Sequence, residues 1–403
     1  MTDRPILALA GATGDLGGRI ARALIERGAT VRALVRPDLA ARPRATLTTM
    51  GVELAEASPD DQGALARALG GVACVVSALN GLRDVIVERQ GVLLDAAVSA
   101  GVPRFIPSDY SSDFTRTRPG DNRNFDLRRE FMARVERAPI QATSILNGAF
   151  MDMLGAEMPL IQPRLHRVLY WHDADQPLDF TTKDDVAAYV AAAALDASAP
   201  RWLRIAGDVV SVRDLARVMT EVTGTRHRTL WAGSLGMLST MIAVAKVVAP
   251  GVDEPFPPWQ GMQYMRDQFS GRGKLSTLDN DRYPGLTWTA VRSLLARRFG
   301  RSLTGPPSSP GLDAAPGVRV GGQGRAGLAP GRVVRMESAA QEGPCHALHE
   351  RDARRVLIGG LPGVVARDAA EHVLAAEQRE QRPAARAQVV RVGEPVGSAH
   401  GQG

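Results

Sequence analysis

The sequence predicts an α/β protein built on a doubly wound, Rossmann-like parallel sheet, followed by a smaller α+β part that faces the substrate. Three observations carry that expectation. A short apolar strand, Ile6 to Ala10, runs directly into glycines at GxxGxxG spacing, Gly11, Gly14 and Gly17. Strand-length apolar runs then alternate with helix-length segments through Phe150. Finally, every Phe, Tyr and Trp lies at or before Phe299, so residues 304–403, rich in Arg, Ala, Gly and Pro, bring no aromatic side chain to a core. The folded unit is therefore expected over 1–303, with a dinucleotide-binding core at about 1–155, a substrate-facing part at about 156–303, and a disordered tail at 304–403.

Each element has its own reason. Ile6 to Ala10 is continuously apolar, as a strand buried on both faces must be. Gly11 permits the tight turn, Gly14 lets a pyrophosphate approach the main chain, and Gly17 lets the next helix, about Leu16 to Arg27, pack closely on the strand. The start of that helix aims unpaired amides at phosphates. The expected cofactor loop is thus Gly11, Thr13, Gly14, Asp15, Leu16 and Gly17. A second strand, Thr30 to Arg36, ends where such folds read the adenosine ribose, and an arginine there rather than an acid favours NADP(H) over NAD(H), with Arg36 on the 2′-phosphate. Gly51 to Ala57 reads as the third strand, and Asp60 and Asp61 open a helix ending at Gly70 and Gly71. The fourth, Val72 to Leu79, delivers Ser77, Ala78 and Leu79 to the carboxyl edge of the sheet, where ligands bind. A helix from Asp84 to Ala100 precedes the fifth strand, Arg104 to Ile106, which runs into Ser108, Asp109 and Tyr110; a sixth, Ala142 to Leu146, leads into Asn147.

In the second half, Thr181 and Thr182 precede an alanine-rich helix opened by Asp184 and Asp185 and running to Leu195. Trp202 to Ala206 is a strand, Ser211 caps a helix through Thr223, and Gly224 ends it. Ser234 to Ala249, apolar nearly all round, reads as a core helix. Trp259, Met262, Tyr264, Met265 and Phe269 follow on another helix, where they would line a pocket for a small apolar or aromatic ligand.

Composition excludes several classes. The net charge of +6 is spread among acids, with no basic run interleaved with aromatics, which argues against nucleic acid as a partner. Two cysteines make no disulfide framework and suit a reducing cytoplasm; no leader pattern is read at the N-terminus. Leu235 to Ala249 is shorter than a bilayer span and contains Lys246, so no membrane segment is expected. His166 and His172 flank a strand-like stretch and His227 stands alone, a spacing that suits no metal; no GxSxG elbow is present.

The strings GATGDLGG, VRALVR, QGVLLDAAVSAGVPRFIPSDYSSDF, SILNGAFMDM, DFTTKDDVAAYVAAAALD and WLRIAGDVVSVRDLARVMTEVTG together resemble the NmrA-like and isoflavone-reductase-like group of atypical short-chain dehydrogenases, over roughly Ile6 to Phe299. The resemblance implies NADP(H) binding and one of two functions: a reductase of a small apolar or aromatic carbonyl or quinone, or a non-catalytic redox sensor acting on a protein partner. It also exposes a departure. The isoflavone-reductase branch carries a lysine on the helix after the fifth strand, where this chain has Arg128 and Arg129, and arginine cannot act as an acid. The candidate chemistry then falls to Tyr110 as alternative proton donor, Arg128 as holder of an oxyanion or carboxylate, and Asn147 as partner of a carboxamide or substrate oxygen. The plainer reading of Ser108, Asp109 and Tyr110 is a polar turn contacting the cofactor.

Overall fold

The computed structural model describes residues 4–300; the expected tail at 304–403 lies outside the described residues. In chain order the strands are β1 Ile6–Ala10, β2 Thr30–Val35, β3 Glu53–Glu56, β4 Cys74–Ser77, β5 Arg104–Ile106, β6 Gln141–Ala142, β7 Ser144–Leu146, β8 Ala149–Phe150, β9 Ile161–Gln162, β10 Arg167–Trp171, β11 Leu178–Thr181, β12 Trp202–Arg204, β13 Asp208–Val210 and β14 Arg228–Gly233. The α-helices are α1 Asp15–Glu26, α2 Ala41–Thr49, α3 Gln62–Ala68, α4 Gln90–Ser99, α5 Arg123–Val135, α6 Lys183–Leu195, α7 Val212–Thr223, α8 Leu235–Val248, α9 Pro258–Phe269 and α10 Val291–Phe299.

The first six strands form one sheet in the order β3-β2-β1-β4-β5-β6, every pairing parallel. Side chains of a strand alternate between faces, and here the alternation builds two cores. Leu7 and Leu9 of β1 join Ile20 and Leu24 of α1 and Val186 and Val190 of α6 on one face. Ala8 and Ala10 meet Leu65 of α3, Leu93 and Leu94 of α4 and Phe131 of α5 on the other. Helices on both faces make the sheet doubly wound, and β1 is central enough that its last four residues are buried.

Several element ends shift by one or two residues, and two differences from the sequence reading go further. The expected sixth strand divides at Thr143: β6 completes the main sheet, whereas β7 leaves it to pair with β12, Ser144 opposite Trp202. The expected helix from Asp84 begins with a π-helical segment, Asp84–Arg89, before α4.

Beyond β7 two small three-stranded sheets, β13-β11-β8 and β14-β10-β9, enclose a third core of Leu178, Phe180, Leu215, Met219, Phe269 and Leu294. The α7 boundaries are as read: Ser211 and Asp214 form a reciprocal capping box and Gly224 closes the helix at φ +67°. The α8 expectation is corrected. Only Leu238 and Ile242 of that helix are buried, while Met237, Val244, Val247 and Val248 are exposed, because α8 packs on α9 along one side only. Among the described residues no helix is long and apolar enough to cross a membrane.

Candidate functional site

The site starts with the loop between β1 and α1. Gly11 stands at φ +84°, and a Cβ there would lie 2.6 Å from the carbonyl oxygen of Ala78, so only glycine lets this turn nest against the end of β4. A Cβ on Gly17 would fall 2.0 Å from the Gly11 carbonyl oxygen, which fixes how closely α1 crosses the loop. Gly14 precedes α1 with extended backbone and no side-chain cap. Consequently the amides of Asp15, Leu16 and Gly17 have no acceptor among the described residues, while Gly18 N–H already reaches the Gly14 carbonyl at 2.8 Å. Three unpaired donors at the positive end of a helix make a seat for an anion of diphosphate size. These residues fit the diphosphate of a dinucleotide.

A cavity of about 460 Å³ runs from this loop between α1 and α2, with Thr13, Gly14, Asp15, Arg19, Arg22 and Arg42 on its wall. Arg36 stands just past the end of β2, outside that wall, with its side chain 67 % exposed and 3.6 Å from Asp38. Ser77 is fully buried, with its hydroxyl unpartnered among the described residues. Ser108 donates from Oγ to the Leu79 carbonyl (2.7 Å) and from its amide to Gln90 Oε1 (2.9 Å), tying the ends of β4 and β5 together.

The segment after β5 turns inward rather than toward solvent. Asp109 is buried; its Oδ2 accepts from Ser144 Oγ at 2.5 Å, and Ser144 Oγ accepts from Arg201 at 2.7 Å. Burial raises the Asp109 carboxyl above its ordinary range, against the hydrogen bond from Ser144 and the charges of Arg128 and Arg201. Tyr110, the expected alternative donor, packs in the first core with Ile106 and Cys74. Its hydroxyl is unpartnered among the described residues, and burial, reinforced by Asp109 and Cys74, raises its phenol well above the usual range. The ring thus lies in the core, with 5 % of the residue exposed, rather than open at the sheet edge. Arg128 is half-buried on α5, donating to the Asn124 carbonyl at 3.2 Å with Nε unpartnered among the described residues. Asn147 is fully buried. Its main chain is held by the Ser111 carbonyl and the Thr181 hydroxyl, yet neither atom of its side-chain amide has a partner among the described residues. An amide left so would be matched by a carboxamide.

Sequence reasoning missed the polar side of α9. Trp259, Met265 and Phe269, expected to line a pocket, are buried, Met265 and Phe269 in the third core, and so are Gln260, Gln263, Asp267 and Gln268. Gln260 donates to Asn122 Oδ1 (2.8 Å), Asn122 donates to Asp267 Oδ2 (2.9 Å), and Gln268 donates to Ser112 Oγ (3.0 Å). This network fastens α9 to the segment between β5 and α5. The only signal was an unusual run of amides among the aromatics of 258–269. Burial raises the Asp267 carboxyl to about 6, opposed by Asn122 and Arg266 and supported by Asp121. Its folded value exceeds the unfolded one, so its stabilising contribution is complete below about pH 4 and is lost as pH rises through about 6. Asp267→Asn should therefore raise Tm at pH 8 and change it little at pH 4, the difference corresponding to on the order of 3 kcal/mol for a shift of this size. Equal effects at both pH values in thermal melts would contradict this.

His227, read as isolated, meets His166 edge-on with ring centres 5.2 Å apart, because β10 and β14 are neighbours. Among the described residues no group of three or more His, Cys, Asp or Glu could hold a metal.

A family model described as the NmrA-like family matches residues 4–241. The chain belongs to the NmrA-like family. Within the range of its NmrA-like match lie the whole parallel sheet and the glycine loop. Pinoresinol reductase 1 of Arabidopsis thaliana is 27 % identical over 237 residues, covering 55 % of this chain and 72 % of the relative. The solved structure of AtPrR2 with NADP+ and (+)pinoresinol superposes with a TM-score of 0.61 at 22 % identity, over 74 % of this chain and 100 % of that one. An NADPH-dependent quinone oxidoreductase from Escherichia coli has a TM-score of 0.56 at 20 % identity, over 73 % and 100 %. These structural likenesses establish the Rossmann-like fold.

Proposed function

We propose that this NmrA-like protein is an NADPH-dependent reductase of a small apolar or aromatic carbonyl or quinone. The observation that carries the reading is the set of unpaired amides at Asp15, Leu16 and Gly17, shaped by two glycines that no side chain could replace. Similarity to pinoresinol reductase 1 and to the structure of AtPrR2 with NADP+ and (+)pinoresinol supports both the cofactor and a small organic acceptor of this kind. Bound NADPH supplies a hydride from its nicotinamide C4 to the acceptor. The first turn of α1 holds the diphosphate, and Arg36 supplies the charge that distinguishes the 2′-phosphate from a bare ribose hydroxyl. Asn147 offers its free amide to the nicotinamide carboxamide. Arg128 stabilises the oxyanion that develops on the acceptor, but as a guanidinium it donates hydrogen bonds and not a proton. The proton that completes reduction then comes from water, a route that suits a quinone, whose reduced form is a weak base.

Arg36→Asp should weaken NADPH binding at least about tenfold while changing NADH binding less than about threefold, measured by calorimetry. Equal losses would contradict the assignment of Arg36. NADPH consumption, followed by absorbance across a panel of quinones and aromatic carbonyls, tests turnover. No turnover with any acceptor, together with sharp discrimination between NADP+ and NADPH, would replace the reductase by a sensor.

A further inference from the structure

We infer that Lys183, at the start of α6, is a diphosphate-binding residue of the cofactor site, parked on Asp15 until the dinucleotide arrives. The inference rests on the dinucleotide reading above. Asp15 is the first residue of α1, so its carboxylate stands beside the very amides that would grip the diphosphate. An uncompensated acid there would repel a doubly charged ligand well within the screening length of about 8 Å at physiological salt. Both of its oxygens are engaged. Arg19 Nε donates to Oδ1 at 2.7 Å, and Lys183 Nζ donates to Oδ2 at 2.7 Å. A second nitrogen of Arg19 reaches Asp184 at 2.5 Å, so two cations and two acids balance across the gap between α1 and α6. Burial works against ionisation of Asp15, but the hydrogen bonds from Lys183 and Arg19 outweigh it and hold the carboxyl below its ordinary range.

Lys183 is anchored for this task. Its amide donates to Asp152 Oδ2 at 2.7 Å, and Thr182 caps the helix by accepting from the Asp185 amide. Of the three lysines in the chain, Lys246 lies against Trp259 and Lys274 against Asp179, which leaves Lys183 as the one at the glycine loop. Its side chain is about a quarter exposed, and among the described residues its three-donor ammonium donates a hydrogen bond to one acceptor, Asp15. A compact charge on a flexible four-carbon stem can pass from carboxylate to phosphate without moving the backbone. Diphosphate is common to NADPH and NADH, so Lys183 acts on both, unlike Arg36.

Calorimetric titration of the full chain with NADPH and with NADH, for wild type, Lys183→Met, Asp15→Asn and the double variant, tests this. We expect Lys183→Met to weaken both nucleotides alike by about tenfold, and to cost a similar factor in the D15N background, where no acid needs neutralising. The salt dependence of binding should become shallower in both Lys183→Met variants. Unchanged affinity on adding Lys183→Met to D15N would reduce Lys183 to a neutraliser of Asp15 and overturn the inference. A loss confined to NADPH would also overturn it. Wild-type protein that binds neither nucleotide would instead remove the dinucleotide reading on which it stands.

Discussion

Replacing Gly17 with alanine is expected to weaken nicotinamide nucleotide binding by at least about 100-fold and to cost about 3 kcal/mol of stability, as overpacking against fixed main chain does. The new Cβ would stand 2.0 Å from the Gly11 carbonyl oxygen and 2.7 Å from its carbon. Both are backbone atoms of the turn that nests against Ala78, so no side chain can rotate away. Helix α1 must lift from the loop, and the amides of Asp15, Leu16 and Gly17 lose their common aim. Gly18 is the control. A Cβ there meets only the Ala12 carbonyl oxygen at 3.6 Å, ordinary contact, so Gly18→Ala should preserve binding and stabilise the helix by about 0.5–1 kcal/mol. Thermal melts and calorimetry on the two variants separate them; identical behaviour would mean that close crossing of α1 over the loop is not what shapes the site.

A second large effect is expected at Lys274. Its ammonium pairs with Asp179, whose side chain is 1 % exposed and whose Oδ2 also accepts from the Leu275 amide at 2.8 Å. Lys274→Met removes the cation and leaves the carboxylate buried without its counter-charge, at a cost of roughly 3 kcal/mol. Asp179→Asn together with Lys274→Met removes both charges and should recover most of that loss, since the remaining amide still accepts from Leu275. Urea denaturation measures both. The effect should extend to the site, because a Cβ on Gly148 would lie 2.4 Å from the Asp179 carbonyl oxygen, and Asn147 precedes that glycine. A single variant as stable as wild type would show that Asp179 is compensated by other means.

What the sequence disclosed was what is local. GxxGxxG after an apolar strand is a constraint between near neighbours, and Gly11 and Gly17 stand where that spacing requires. Ser211 and Gly224 announce the ends of their helix in the same way. The remainder depended on partners far along the chain. The division at Thr143 occurs because Ser144 to Leu146 finds Trp202 to Arg204 as its partner, and no feature of either segment states this alone. Apolarity placed α8 in the core, but apolarity does not say which neighbours exist, and α9 covers only one side. The buried amides of α9 are the converse: Gln260 and Asp267 are polar, yet Asn122 supplies the partner that makes their burial affordable. Tyr110 read as part of a polar cluster because it follows Ser108 and Asp109; its ring packs in the core beside Cys74. Lys183 carried no motif, since its meaning comes from the packing of α6 on α1 that brings Nζ to Asp15.

The most direct measurement is calorimetric titration of the folded, unmodified chain with NADPH, NADP+ and NADH. Saturable one-to-one binding, tighter for the two phosphorylated nucleotides than for NADH, is the predicted result. Protein with an intact cooperative melt that takes up none of the three would contradict the assignment of the α1 amides to a diphosphate.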